Sequence, residues 1–114
     1  PRPLSLLAAA LLLAAPGVCA APVAAVVELY QSQGCSSCPP ANARANALAV
    51  SRPDLLILSF AVTYWDQLGW RDTFARPEFT RRQHEFAAGF GNATVATPQF
   101  VVNGRVHFAG SAQR

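Results

Sequence analysis

The segment Cys35-Ser-Ser-Cys38-Pro-Pro constrains this chain more than any other feature. It follows residues 23–30, an apolar run rich in valine and broken only by Glu28, which is the pattern of a buried strand. After a short Gln/Ser/Gly loop come the two cysteines and then residues 41–50, rich in alanine and free of glycine, which read as a helix. Pro39 and Pro40 are tolerated in its first turn, where amide hydrogens lack intrahelical partners anyway. Thiols at a helix start meet free amide hydrogens and the positive end of the dipole, both of which stabilise a thiolate. Two intervening residues let the second thiol reach a mixed disulfide formed at the first. Cys35, on the exposed side of the loop, is the expected nucleophile, and Cys38, in the first helical turn, the resolving thiol.

The pair has two other readings. A structural disulfide closing so short a loop constrains the unfolded chain little. A structural zinc site takes four ligands, and the sequence has no second cysteine pair and no closely spaced histidine pair. His84 and His107 are isolated and read as surface or packing residues.

The pair is also what remains of three cysteines once the N-terminal region is set apart. Residues 4–15 are nearly pure Leu and Ala, and Arg2 is the sole charge up to Val27. Such a run is too short for a bilayer-spanning helix, which needs ~20 residues, but it fits a signal-peptide core. Pro16 and Gly17 end it, and Val18-Cys19-Ala20 offers small residues for cleavage after Ala20. The expected division is a signal peptide at 1–20 and a domain at 21–114. Cys19 leaves with the former, and the location is secreted or periplasmic. Cys35 and Cys38 then face an oxidising compartment. A net charge of +3, all of its cations arginine and scattered, points to no nucleic acid.

Residues 55–62 (LLILSFAV) read as a second buried strand, parallel to the first through a crossover helix. Residues 64–70 have the polar-aromatic mixture of a structured loop, and Trp65 and Trp70 read as packing residues rather than walls of a cleft. Pro77 opens a helix through Ala88, with Arg81 and Arg82 on a solvated face. Thr97-Pro98 leads into a strand at 99–102, and Asn103-Gly104 is a strong hairpin signal returning residues 105–109. In thioredoxin-like folds a cis-proline loop lies against the Cys-x-x-Cys and offers its backbone to an extended substrate, and this order of elements fits that arrangement. Thr97 and Pro98 are therefore candidate substrate-binding residues. Glu28, seven residues before Cys35, is a candidate proton acceptor for Cys38. It reads equally well as a carboxylate reaching solvent or paired with an arginine.

Residues 26–41 (VVELYQSQGCSSCPPA), 64–72 (YWDQLGWRD), 79–83 (FTRRQ) and 97–105 (TPQFVVNGR) resemble the DUF1223 proteins. The resemblance implies an exported bacterial protein with a thioredoxin-like domain. In it Cys35 and Cys38 match the family's Cys-x-x-Cys, and Pro98 its Thr-Pro strand entrance. Ala61 and Thr63 stand where the family pattern has a His and an Asp. The expected fold is α/β and thioredoxin-like, a βαβ unit followed by a helix and a β-hairpin, with the C-terminal helix missing from a truncated chain.

The function expected from these residues is that of an exported thiol–disulfide oxidoreductase acting on protein thiols or disulfides. It needs no cofactor beyond the Cys35–Cys38 disulfide, and no stable membrane anchor after signal cleavage. The alternatives are a soft-metal carrier holding copper through both thiolates, or a non-catalytic thioredoxin-like binding module.

Overall fold

The structure is a computed structural model that describes Gly17 and residues 22–110. The expected signal peptide, Arg2 and Cys19 among its residues, lies outside the described residues apart from Gly17. Strand β1 (Ala25–Gln31) is followed by helix α1 (Pro39–Ser51), strand β2 (Leu55–Ala61), a 3-10 turn (Asp66–Leu68), helix α2 (Pro77–Gly89) and strands β3 (Gln99–Val102) and β4 (Val106–Ala109). Each regular element expected from the sequence is present, with its ends moved by one or two residues.

The sheet order is β2-β1-β3-β4. β1 and β2 are parallel, in register from Ala25–Leu55 to Gln31–Ala61. β3 runs antiparallel to β1 on one side and to β4 on the other. With alternating side chains, β1 serves two cores. Val27 and Leu29 meet Ala41 and Ala45 of α1 together with Phe100. Tyr30 faces the other way, with Val62 and Val101, against Phe60, Phe86 and Phe90. The helices thus cover opposite faces, an arrangement compatible with a thioredoxin-like fold.

The second strand departs from its expected burial. β2 forms the edge of the sheet, and most of its side chains are only half-buried, with Leu56 exposed. A continuous apolar run was read as a strand covered on both faces, but at an edge each helix covers only part of it.

The hairpin between β3 and β4 follows its signal closely. Asn103 and Gly104 both have positive φ (52° and 66°), as a type I′ turn requires, and Arg105 N–H donates to the Val102 carbonyl at 3.0 Å. Val102 pairs with Val106, so the loop holds three residues rather than two. Asn103 also pins the turn to β1. Its Oδ1 accepts from Val26 N–H at 2.8 Å, and its own N–H donates to the Val26 carbonyl at 2.9 Å.

Candidate active site around the Cys35–Cys38 disulfide

The loop after β1 tightens at once into two backbone turns. Cys35 N–H donates to the Ser32 carbonyl and Cys38 N–H to the Cys35 carbonyl, each at 3.1 Å. Cys38 is the N-cap of α1, its carbonyl accepting the first helical bond from Asn42 N–H at 3.0 Å. The cysteines form a disulfide with their Cα atoms 5.4 Å apart.

Two expectations about this pair change. Cys35 is not on an exposed side, since it is 2% exposed and Cys38 is 0% exposed. The loop at 64–74 lies over residue 34, where a methyl group in place of the glycine hydrogen would sit 3.3 Å from the Trp70 carbonyl oxygen and 3.4 Å from Trp65 Cβ. The supply of amide hydrogens at the helix start is also reduced, because Pro39 and Pro40 occupy its first two positions and carry none. A side chain stands in the neighbourhood instead, with Ser37 Oγ 3.6 Å from Cys35 Sγ.

The covering loop is held to the cysteine loop by named bonds. Asp72 is buried. One of its carboxylate oxygens accepts from Gln33 N–H and the other from Phe74 N–H, both at 2.8 Å. Asp66 Oδ1 accepts the N–H of Asp72 at 3.0 Å. Trp70 Nε1 donates to Gln33 Oε1 at 3.2 Å. Trp65 Nε1 donates to Thr97 Oγ1 at 2.8 Å while its Cβ stands beside residue 34, so one side chain lies between the cysteine loop and the entrance to β3. The Thr97–Pro98 bond is cis, Pro98 is buried, and its carbonyl accepts from Gly110 N–H at 3.1 Å.

Gln83 supports this entrance from α2. Its amide is fully buried, accepts from Tyr64 Oη, and donates to the Ala96 carbonyl and to Gln99 Oε1, all at 2.9 Å. Burial pushes the Tyr64 phenol up to about 12.

Trp65 therefore links Thr97 to residue 34, the neighbour of Cys35 in the chain. The structure does not bring Glu28 to the cysteines. The Glu28 carboxylate is buried on the α2 face of β1 and accepts from Arg82 Nε at 2.7 Å. Cys38 caps α1 on the opposite face, and Glu28 lies three positions back from the end of the strand. Pairing with an arginine is the reading that the geometry supports. Arg82 is exposed, as expected of a solvated helix face, and its ion pair is what the local sequence did not show. Its guanidinium carbon lies 5.0 Å from the centre of the Phe86 ring, while Arg81 stands further out near Glu85. Bonding to Glu28 raises the Arg82 pKa further above its ordinary value.

The residues that sequence reasoning missed are Asp66, Asp72 and Gln83. An Asp that follows a Trp-Arg pair signals only a turn, and nothing local marks its carboxylate as the acceptor for a loop 39 positions away. His84 and His107 are exposed, and His107 stacks on Phe90 at 4.3 Å. Among the described residues no group of three or more His, Cys, Asp or Glu side chains is placed to hold a metal ion.

A parallel βαβ unit with a Cys-x-x-Cys disulfide at the start of its helix, beside a cis Thr-Pro entering an antiparallel strand, fits the thioredoxin-like class. The chain belongs to the DUF1223 family, described as protein of unknown function, whose model matches residues 26–114. It is similar to the crystal structure of a protein from Agrobacterium tumefaciens, with 42% identity and a TM-score of 0.73 over 82% of this chain and 41% of that one. The chain thus spans about two fifths of that protein's length. A comparison with curated proteins finds no match.

Proposed function

We propose that this protein is an exported thiol–disulfide oxidoreductase whose two electrons are carried by Cys35 and Cys38. The observation that carries the reading is the Cys-x-x-Cys disulfide at the start of α1, in a chain whose cis Thr97–Pro98 bond opens β3. In the oxidising direction a partner thiolate attacks Cys35 Sγ. The Cys35–Cys38 bond breaks, a mixed disulfide forms, and Cys38 leaves as a thiolate. A second thiolate of the partner attacks the partner's sulfur in that mixed disulfide. Cys35 is released as a thiolate, so the partner loses two electrons and the protein becomes the dithiol. The same steps in reverse reduce a partner disulfide.

The Pro98 carbonyl is taken by Gly110, which leaves the Thr97 backbone to hold an extended partner chain. Cys35 is buried, so exchange needs the site to open, and the loop at 64–74, bonded to Gln33 just before the cysteine turn, is the segment whose movement would open it. Asp72 and Trp65 act as positioning residues for that loop. Export to a secreted or periplasmic location is supported by the apolar run at 4–15 and by an oxidised cysteine pair. Among the described residues no helix is long and apolar enough to cross a membrane.

Turnover in an insulin-reduction assay tests the reading. The intact protein is expected to turn over, and Cys35→Ser to reduce the rate by at least about 100-fold, as removal of a nucleophile does. Unchanged turnover in Cys35→Ser defeats the assignment. Tight copper binding by the reduced protein without turnover favours the carrier instead.

A further inference from the structure

The loop at 64–74, held against residues 33 and 34 just before Cys35, turns an unusual surface outward. Leu68, Trp70 and Phe74 are 69%, 61% and 70% exposed, within seven consecutive residues. Scattered exposed apolar residues need no explanation, but three large ones on one short loop beside a reactive pair form a patch. Two arginines are interleaved with them. Arg71 and Arg76 are exposed and make no ion pair among the described residues. The acids of the same loop are turned inward, with both oxygens of Asp72 and one of Asp66 taken by backbone amides. The outward charge of the loop is therefore positive.

A slot of about 410 Å³ continues the patch toward the sheet, lined by Gln31, Ser59, Ala61, Phe74, Arg76 and Phe79. It opens beside β2, the edge strand of the sheet, where the Ala61 carbonyl accepts from Arg76 N–H at 3.3 Å and so fixes the backbone of Arg76 at the rim. Its apolar walls are Phe74 and Phe79, and its charge is Arg76.

From this we infer that the loop around Leu68, Trp70 and Phe74, with Arg71, Arg76 and the slot beside it, is the docking surface for an extended segment of the partner protein that combines apolar and acidic side chains. The reading of that partner as a thiol or disulfide protein rests on the proposed redox function. The surface adjoins the site directly, since the Trp70 carbonyl lies against residue 34, next to Cys35. Binding at this loop therefore brings the partner next to the cysteine turn.

The test uses the intact protein and two short peptides of equal apolar content, one bearing glutamates and the other lysines at the same positions. Serine replaces cysteine in both, so that no exchange can occur. Calorimetry is expected to show the glutamate peptide binding about tenfold more tightly, the sum of two exposed charge contacts. Arg71→Glu combined with Arg76→Glu is expected to reverse that order, whereas Arg71→Lys with Arg76→Lys keeps it. Trp70→Ser with Phe74→Ser is expected to weaken both peptides. Equal affinities, or an unchanged order in the glutamate variant, overturn the proposal. Self-association that Trp70→Ser abolishes, with no peptide preference, overturns it in favour of a second copy as occupant. The two readings fail separately. Equal affinities with Cys35-dependent turnover intact reject the docking surface alone, and lost turnover with the preference intact rejects the redox reading alone.

Discussion

Breaking the Glu28–Arg82 pair from one side is expected to cost more than removing it whole. Glu28 is buried and its salt-bridge partner is Arg82, so Arg82→Met leaves a carboxylate charge without compensation in an apolar face beside Tyr30 and Phe86. The expected loss is about 2 kcal/mol, below the 3–5 of a fully buried pair because half of Arg82 already faces water. Glu28→Met together with Arg82→Met is expected to be closer to the wild type, and urea unfolding of the three proteins measures the difference. Equal losses in the single and double variants would mean that the pair carries no coupling. The tyrosines supply a pH test. The only two in the chain are Tyr30 and Tyr64, and burial raises both phenols, Tyr64 to about 12 and Tyr30 further, with the charge of Glu28 adding to the latter. A raised folded-state pKa contributes stability that is whole below the unfolded value of about 10 and is lost as pH climbs through the folded value. Phenolate absorbance of the folded protein is expected to stay flat through pH 10 and to rise only near 12. Stability is expected to fall over the same interval.

The elements divide by how local their causes are. β1, α1 and the hairpin answer to patterns that lie within their own residues: an apolar run, a glycine-free alanine stretch behind two prolines, and Asn-Gly. What those patterns could not show was how neighbours use the same residues. Asn103 was legible as a turn former, yet it also holds Val26 through its side chain and backbone, a tie made across 77 positions. Asn103→Gly keeps the positive φ and loses the side-chain bond, while Asn103→Ala loses both. Expected losses are about 1 kcal/mol for the glycine variant and about 2 for the alanine variant, read as unfolding midpoints in urea. The reverse order would mean that backbone freedom matters little at this turn. β2 shows the opposite limit. Eight apolar-rich residues in a row announce a strand but carry no sign of whether it ends up at the centre or at the edge.

At the scale of the molecule, the site was legible as far as its motif residues and no further. Cys35, Cys38 and Pro98 stand out in the sequence because each restricts chemistry or backbone geometry by itself. Their burial did not, nor did the loop packed beside the cysteine turn, whose anchors Asp66 and Asp72 look like ordinary turn acids. The same loop places exposed Trp70 and Phe74 at the mouth of the site, where composition had suggested packed aromatics. Glu28 was legible as a buried acid, but its partner came from α2, which packs on the sheet face away from the disulfide. The proposed exchange requires that buried Cys35 become accessible and bond covalently to a partner. Cys38→Ser removes the resolving thiol, so a mixed disulfide formed at Cys35 should persist. Mass measurement of this variant after incubation with a disulfide-bearing protein is expected to show one adduct on Cys35, released by dithiothreitol. The absence of any adduct, from a variant whose Cys35 alkylates freely once unfolded, would contradict the account.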